Sequence, residues 1–295
     1  MSPLSRRDFL KTSLAAGTAA SIGALPLHAS PGKATDMVTL GKSGAQVTRL
    51  AFGTGTNGGQ VQSSLGQKEF SRLIQYAYGR GIRFFETAEA YSTPAMLAEA
   101  LKPFPRDSYQ LMTKIETDDP NADFQKRFDA LRRISQTEYF DIFLLHWQHT
   151  PDWVSETKRW QEDILETQSK KHIRARGASV HGLPALRQMP GNKWLEVAMI
   201  RMNHKGTRMD GPTWADNNNP DRVDEVVQHV RQVKHEGMGV VSMKLVGNGA
   251  FTRREDRQEA MRFAFRQAGI DCATVGFKST QEIDEAIENM NQALA

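Results

Sequence analysis

The sequence predicts a (β/α)8 barrel with a short N-terminal β-hairpin, preceded by a leader peptide. Three observations lead there. Short apolar runs alternate about eight times with amphipathic segments, the pattern of strand and helix in strict alternation. Several runs are continuously apolar, such as Ile142-Phe143-Leu144-Leu145, as expected of parallel strands buried on both faces. Ionisable residues stand directly after three of the runs, where a barrel of this kind keeps its reactive groups. The chain has 295 residues. About 250 residues form one such barrel, so a single domain over 37–295 and a leader over 1–29 is the natural division.

The leader reads Ser5-Arg6-Arg7-Asp8-Phe9-Leu10-Lys11, followed by an uncharged stretch from Thr12 to Leu27 rich in Ala, Gly, Ser and Thr. The order of these parts resembles a twin-arginine export signal. The stretch is too short and too mildly apolar for a membrane span, and no Cys follows it, so no stable membrane anchor is expected. Leu27-His28-Ala29 and Gly32-Lys33-Ala34 are candidate cleavage sites. Localisation in the periplasm and contact with the twin-arginine export machinery follow as expectations.

After the leader, Met37 to Leu40 and Gln46 to Thr48 flank Lys42-Ser43-Gly44 and read as a hairpin. The eight strands are expected at Leu50 to Gly53, Ile82 to Thr87, Tyr109 to Lys114, Asp141 to His146, Ala175 to Ser179, Val197 to Asn203, Gly239 to Lys244 and Ala273 to Phe277. Helical stripes lie between them. The first comprises Phe70, Leu73, Ile74, Tyr76 and Ala77; the second Phe124, Phe128, Leu131 and Ile134. Val223, Val226, Val227, Val230 and Val233 form a third, and Ile283, Ala286, Ile287 and Met290 a fourth. Gly81 and Gly237 are placed to stop helices ahead of strands. A doubly wound sheet is the competing architecture, because Gly53, Gly55 and Gly58 have Gly-x-Gly-x-x-Gly spacing. A lone match of this kind is a weak signal and has no clear acidic partner at the ribose position, which favours the barrel.

The formal net charge is +4, and Arg6, Arg7 and Lys11 against Asp8 leave +2 on the residues after the leader. That is too little to suggest nucleic-acid binding. The lone cysteine, Cys272, lies in an apolar run and excludes both an intramolecular disulfide and a cysteine zinc site. His146, His149, His172, His181 and His204 raise the question of a metal, but the first strand lacks the His-x-His of a metal-dependent hydrolase barrel. No metal is expected. Trp147, Trp153 and Trp160 read as rim packing and pocket wall.

Glu86 ends the second strand with Tyr91 five residues later, Lys114 ends the third, and His146 the fourth. Each alone has a bland reading as an ion pair, a rim histidine or a loop tyrosine. Together they form a proton-transfer set. A tyrosine of ordinary pKa about 10 is a weak acid at neutral pH, a nearby Lys would lower that value, a carboxylate would hold the Lys, and a His would orient a carbonyl oxygen.

These motifs resemble the aldo/keto reductase family. Phe84-Phe85-Glu86-Thr87-Ala88 with Tyr91, Thr113-Lys114, Leu144-Leu145-His146-Trp147, Gly177-Ala178-Ser179 and Gly276-Phe277-Lys278-Ser279 through Glu285 are similar to its segments in order, from about Met37 to the end. Arg201-Met202-Asn203-His204-Lys205-Gly206 and Gly239-Val240-Val241-Ser242-Met243-Lys244 resemble a bacterial branch whose members often carry twin-arginine leaders. The resemblance implies reduction of an aldehyde or ketone by NADPH, with NADP(H) as cofactor and a small carbonyl compound as substrate, in a monomer. Tyr91 would be the proton donor, with Lys114, His146 and Glu86 beside it. Cofactor contacts would come from Gly53, Thr54, Ser179, Asn203, Met243, Lys244, Gly247, Lys278, Ser279 and Glu285.

The chain departs from the family pattern at several points. Glu86 replaces an Asp, Val180 an Asn, with His181 next to it as a substitute contact, and Met243 a Tyr that stacks on nicotinamide. Glu282 would repel a 2′-phosphate, which leaves Lys278 as the main argument for NADP. A nicotinamide-binding redox sensor or partner subunit with little turnover is the alternative, since fold does not fix function. Substrate choice would lie in the loops Trp147 to Trp160 and Thr207 to Asn219, which name no compound.

Overall fold

The computed structural model describes residues 32–216 and 218–295; the leader over 1–29 lies outside them. Strands β1 (Met37–Thr39) and β2 (Gln46–Thr48) pair antiparallel, with Val38 opposite Val47. Eight parallel strands follow: β3 (Leu50–Gly53), β4 (Phe84–Glu86), β5 (Gln110–Ile115), β6 (Phe140–Gln148), β7 (Ile173–Val180), β8 (Val197–Arg201), β9 (Gly239–Met243) and β10 (Cys272–Val275). β10 pairs with both β9 and β3, so the sheet closes on itself. Closure excludes the doubly wound alternative.

All eight expected strands are present, β3 with the expected bounds and the other seven with shifted ends. β4 starts two residues into its apolar run because the Ile82 N–H still donates to Ala77 O, at 3.0 Å, closing the preceding helix. β8 stops at Arg201 because the Asn203 N–H turns away to Met209 Sδ at 3.1 Å.

The helices are α1 (Gln60–Ser63), α2 (Gly66–Gly79), α3 (Pro94–Leu101), α4 (Phe124–Ile134), α5 (Trp153–Glu156), α6 (Lys158–Ser169), α7 (Leu183–Leu186), α8 (Val223–His235), α9 (Arg254–Arg262) and α10 (Thr280–Leu294), with a π-helical turn over Phe263–Ala268 after α9. Asp123 caps α4, its Oδ1 accepting from the Lys126 N–H at 3.0 Å. Gly81 and Gly237 follow α2 and α8 with φ of 95° and 93°, a left-handed turn that glycine makes without strain. The α4 stripe is one residue shorter than the spacing suggests: Ile134, at the last turn, points to solvent.

Side chains alternate along the strands between two apolar layers. Ala51, Phe84, Met112, Ile142, Leu144, Val197, Met199, Val241, Met243 and Cys272 fill the barrel interior. Phe52, Phe85, Leu111, Phe143, Leu145, Ala198, Ile200 and Val240 face the helices, where Trp153 and Trp160 are also buried. Leu40 and Val47 of the hairpin join the interior cluster, and a Cβ on Gly239, the first residue of β9, would stand 2.4 Å from Leu40 Cβ. The hairpin therefore plugs the N-terminal end of the barrel and leaves the C-terminal end as the open face.

Candidate active site

The open face gathers Glu86, Tyr91, Lys114 and His146 from the ends of β4, β5 and β6. The Lys114 ammonium is buried and donates to Glu86 Oε1, to Thr87 O at 2.8 Å and to Tyr91 Oη at 3.3 Å. The Tyr91 ring meets the His146 ring edge to face, with centroids 5.6 Å apart. Two glycines make this arrangement sterically feasible. A Cβ on Gly55 would stand 2.2 to 2.6 Å from Tyr91 Cε2, Cζ and Oη, so only glycine lets the phenol lie there. A Cβ on Gly53 would stand 3.1 Å from Glu86 Oε2, so the same loop makes room for a glutamate in place of the shorter Asp. The Gly-x-Gly spacing thus serves the tyrosine and the carboxylate rather than a doubly wound nucleotide loop.

The electrostatics correct one expectation. Burial raises the Tyr91 pKa well above its ordinary value and the Glu86 carboxylate adds to the rise; the Lys114 ammonium does not bring it down. Burial also lowers Lys114, against the pull of Glu86. His146 is held neutral, first by burial and then by Lys114 and Lys244.

From this cluster a cleft of about 630 Å³ runs past Gly53, Met199, Met243 and Lys244 to Lys278, Glu282, Glu285 and Asn289 beside α10. Burial beside Arg201 brings the Lys244 pKa down to about 8. Asn248 bridges the cleft: its Nδ2 donates to Asn57 Oδ1 at 2.8 Å, and its Oδ1 accepts from Lys244 Nζ at 3.3 Å.

Of the expected cofactor residues, Gly53, Met243, Lys244, Lys278 and Glu285 line the cleft. Thr54, Ser179, Asn203, Gly247 and Ser279 shape its walls instead. Thr54 Oγ1 donates to Glu86 O at 2.9 Å, and Ser179 Oγ accepts the Trp147 N–H at 3.0 Å, fixing Trp147 at a φ of 56° on the rim against Trp214. Asn203 Nδ2 ties Thr207 O to Lys244 O, Gly247 turns the chain at a φ of 60°, and Ser279 caps α10 by accepting from Glu282 N. His181 is not among the residues lining the cleft, and its Nδ1 bonds to Arg201.

Arg257 was not foreseen. It holds Glu285 through two bonds of 2.6 and 2.9 Å and donates to Phe251 O and Thr252 O, fastening the far end of the cleft. In the sequence it is one of several charged residues on α9, and nothing in the spacing singles it out. Glu282 Oε2 accepts the Lys278 N–H at 2.7 Å, so a carboxylate lies at the α10 N-terminus.

Residues 49–294 match the model of the aldo/keto reductase family. The chain belongs to that family. The aldo-keto reductase YhdN of Bacillus subtilis (strain 168) is 26% identical over 157 residues, 49% of this chain and 46% of the relative. The chain spans under half the length of the curated relatives it matches. Among solved aldo/keto reductase structures, the holo form of a Bacillus halodurans enzyme aligns with a TM-score of 0.68 at 16% identity, over 88% of this chain and 95% of that one. A Klebsiella pneumoniae aldo-keto reductase in complex with NADPH aligns with a TM-score of 0.66 at 16% identity, over 87% and 89% of the two chains. At such identities the likeness carries the barrel alone. Residues 3–23 match the twin-arginine translocation pathway signal sequence, so this aldo/keto reductase family member bears an export signal. Among the described residues no helix is long and apolar enough to cross a membrane.

Proposed function

We propose that the chain is an oxidoreductase that reduces an aldehyde or ketone at the expense of NADPH, with Tyr91 as the proton donor. The observation that carries this reading is the placement of Lys114 between Glu86 and Tyr91 where the cleft meets the open face of the barrel. The cleft fits a dinucleotide by its length, by Lys244 and Lys278 along it, and by a floor where a Cβ on Gly276 would collide with Thr56 Oγ1 at 2.3 Å. The NADPH held by the Klebsiella pneumoniae relative supports the same assignment. When bound, the nicotinamide supplies the hydride. Tyr91 keeps its proton at neutral pH because burial and Glu86 both favour the neutral phenol, and it can deliver that proton to a developing alkoxide. Lys114, ion-paired to Glu86, fixes the phenol and offers positive charge to the anion left behind. Neutral His146 orients the carbonyl oxygen. NADPH fluorescence followed by consumption with a panel of aldehydes tests the reading: binding without turnover would make the protein a nicotinamide sensor or partner subunit.

Lys278 and Ser279 would meet the 2′-phosphate, with Glu282 opposing it. Lys278→Ala is expected to weaken NADPH binding and spare NADH, because a lysine acts on a phosphate as a point charge. Glu282→Gln should tighten NADPH by removing a like charge. Equal losses for both cofactors in Lys278→Ala would place the phosphate elsewhere.

The proposal extends to location. The leader, residues 1–29, would be removed on export, and the barrel, 37–295, would act in the periplasm as a monomer. Cofactor bound in the cytoplasm stabilises the folded chain by mass action, which suits a route that carries folded cargo. Replacing Arg6 and Arg7 by Lys should trap a folded, active precursor in the cytoplasm, read by fractionation and an activity assay. Normal periplasmic amounts of the Lys-Lys form would refute the route.

A further inference from the structure

One buried polar cluster near the site is not used by the chemistry above. Arg201, the last residue of β8, donates from Nη2 to His181 Nδ1 at 2.5 Å, and its Nε lies 3.6 Å from Asp210 Oδ1. Asp210 is wholly buried, and the same oxygen accepts the Gly182 N–H at 2.7 Å. A guanidinium has donors only. Nδ1 of His181 is therefore the acceptor of the pair, and the proton of the neutral ring is on Nε2. Burial, then Arg201, then His146, Lys244 and Lys114, keep that ring uncharged.

Nε2 of His181 makes no hydrogen bond among the described residues. Nor is it one of the enclosed orphan atoms, which include Nε and Nη1 of Arg201 and Oδ2 of Asp210. The cluster thus fixes a ring in one tautomer and leaves its single donor free. The His181 N–H pairs with Gln148 O at 2.8 Å, two residues beyond His146, so the ring follows the β6–β7 side of the open face. The cleft takes in Met199, which pairs with Ser179 two residues before His181, and its lining does not include His181 itself. Around this mouth Lys114, Lys244 and Arg201 outnumber Glu86 and Asp210, a balance that favours electron-rich oxygen.

We propose that His181 Nε2–H binds a second oxygen of the substrate, so that the carbonyl compound reduced here carries a hydroxyl, oxo or carboxylate oxygen close to the reacting carbonyl. This rests on the reading of the site as a carbonyl reductase. Arg201 and Asp210 are positioning residues that act through His181. A pocket built to donate to a substrate oxygen discriminates against the analogue that lacks it, since the donor is then buried unpaired.

Matched three-carbon aldehydes test the assignment. His181→Phe keeps a flat ring and removes the donor. It should lower kcat/KM for 2-hydroxypropanal and 2-oxopropanal by at least about 10-fold. Propanal should change little, NADPH affinity should hold, and His181→Gln should recover part of the loss. Equal losses on all three aldehydes overturn the proposal. So does weakened NADPH binding, which would make the cofactor amide the partner. For the positioning role, the ¹⁵N spectrum of the His181 ring should show one Nε2–H tautomer in the wild type and a mixture in the Arg201→Met/Asp210→Asn variant; an unchanged spectrum overturns it. If the wild type consumes no NADPH with any aldehyde, the reductase reading fails on its own. The donor is then scored by the His181 Nε2 resonance of the NADP⁺ complex. A shift with 2-hydroxypropanal and not with propanal supports it, and identical responses overturn it.

Discussion

Tyr91→Phe is expected to lower kcat by at least about 100-fold, the usual scale for losing a positioned acid, with NADPH affinity nearly unchanged. The hydroxyl is the only group removed, and the ring that packs against His146 stays. That oxygen accepts from Lys114 Nζ at 3.3 Å and lies against the Glu86 carboxylate, so the change touches the buried pair and leaves the rest of the cleft in place. The raised pKa sharpens the expectation. A phenol whose proton is held by burial remains an acid across the neutral range, so the wild-type rate should not decline through loss of this proton below pH about 10. Stopped-flow consumption of NADPH at saturating aldehyde gives kcat directly. Near-normal turnover in the variant would remove Tyr91 from the donor role.

The second large effect concerns the buried pair, where activity and stability should part company. Lys114→Met leaves the Glu86 carboxylate enclosed without its partner, and Glu86→Gln leaves the ammonium so. Breaking such a pair from one side costs about 3–5 kcal/mol. Removing both charges is far less costly, because no uncompensated ion remains. Denaturant unfolding should therefore find each single variant strongly destabilised and the Glu86→Gln/Lys114→Met double variant close to the wild type. Catalysis should follow the opposite rule. Each single change depresses turnover much as Tyr91→Phe does, and the double variant loses little more than either, since the groups act as a unit. Additive stability losses would mean the two charges are compensated elsewhere, and fully multiplicative rate losses would mean they do not act together on Tyr91.

The barrel was legible because its strands are buried on both faces, so that runs such as Phe140 to Leu145 stand out without any tertiary knowledge. The tetrad positions were legible for a related reason: an ionisable residue at the end of such a run has no packing rationale. Side-chain contacts between distant segments left no comparable trace. Asn57 and Asn248 are 191 residues apart, Arg257 and Glu285 are 28 apart, and Arg201 and His181 are 20 apart. All are ordinary residue types in ordinary company. The direction of the Tyr91 shift was misjudged because residue identity reveals the charged neighbour but not the depth of burial, and burial is the larger influence.

The Asn57–Asn248 bridge is also built from two residues open to chemical ageing. Each of the two is followed by glycine, Gly58 and Gly249, and a glycine has no side chain to shield the asparagine carboxamide from attack by the next backbone nitrogen. Attack expels ammonia and hydrolysis of the resulting ring leaves an acid. At position 57 an Asp product still accepts the Asn248 N–H, whereas the isoaspartate that ring opening also gives lengthens the backbone by a methylene. At position 248 the change removes the donor, sets two oxygens facing each other and gives Lys244 a counter-ion of its own. For now the Gly58 and Gly249 N–H groups are engaged with Gly55 O and Val246 O, each at 3.1 Å, which holds the nucleophiles back. On the proposed export route, where no new chain is made in place, the molecule would thus age by the loosening of this bridge, one dalton heavier.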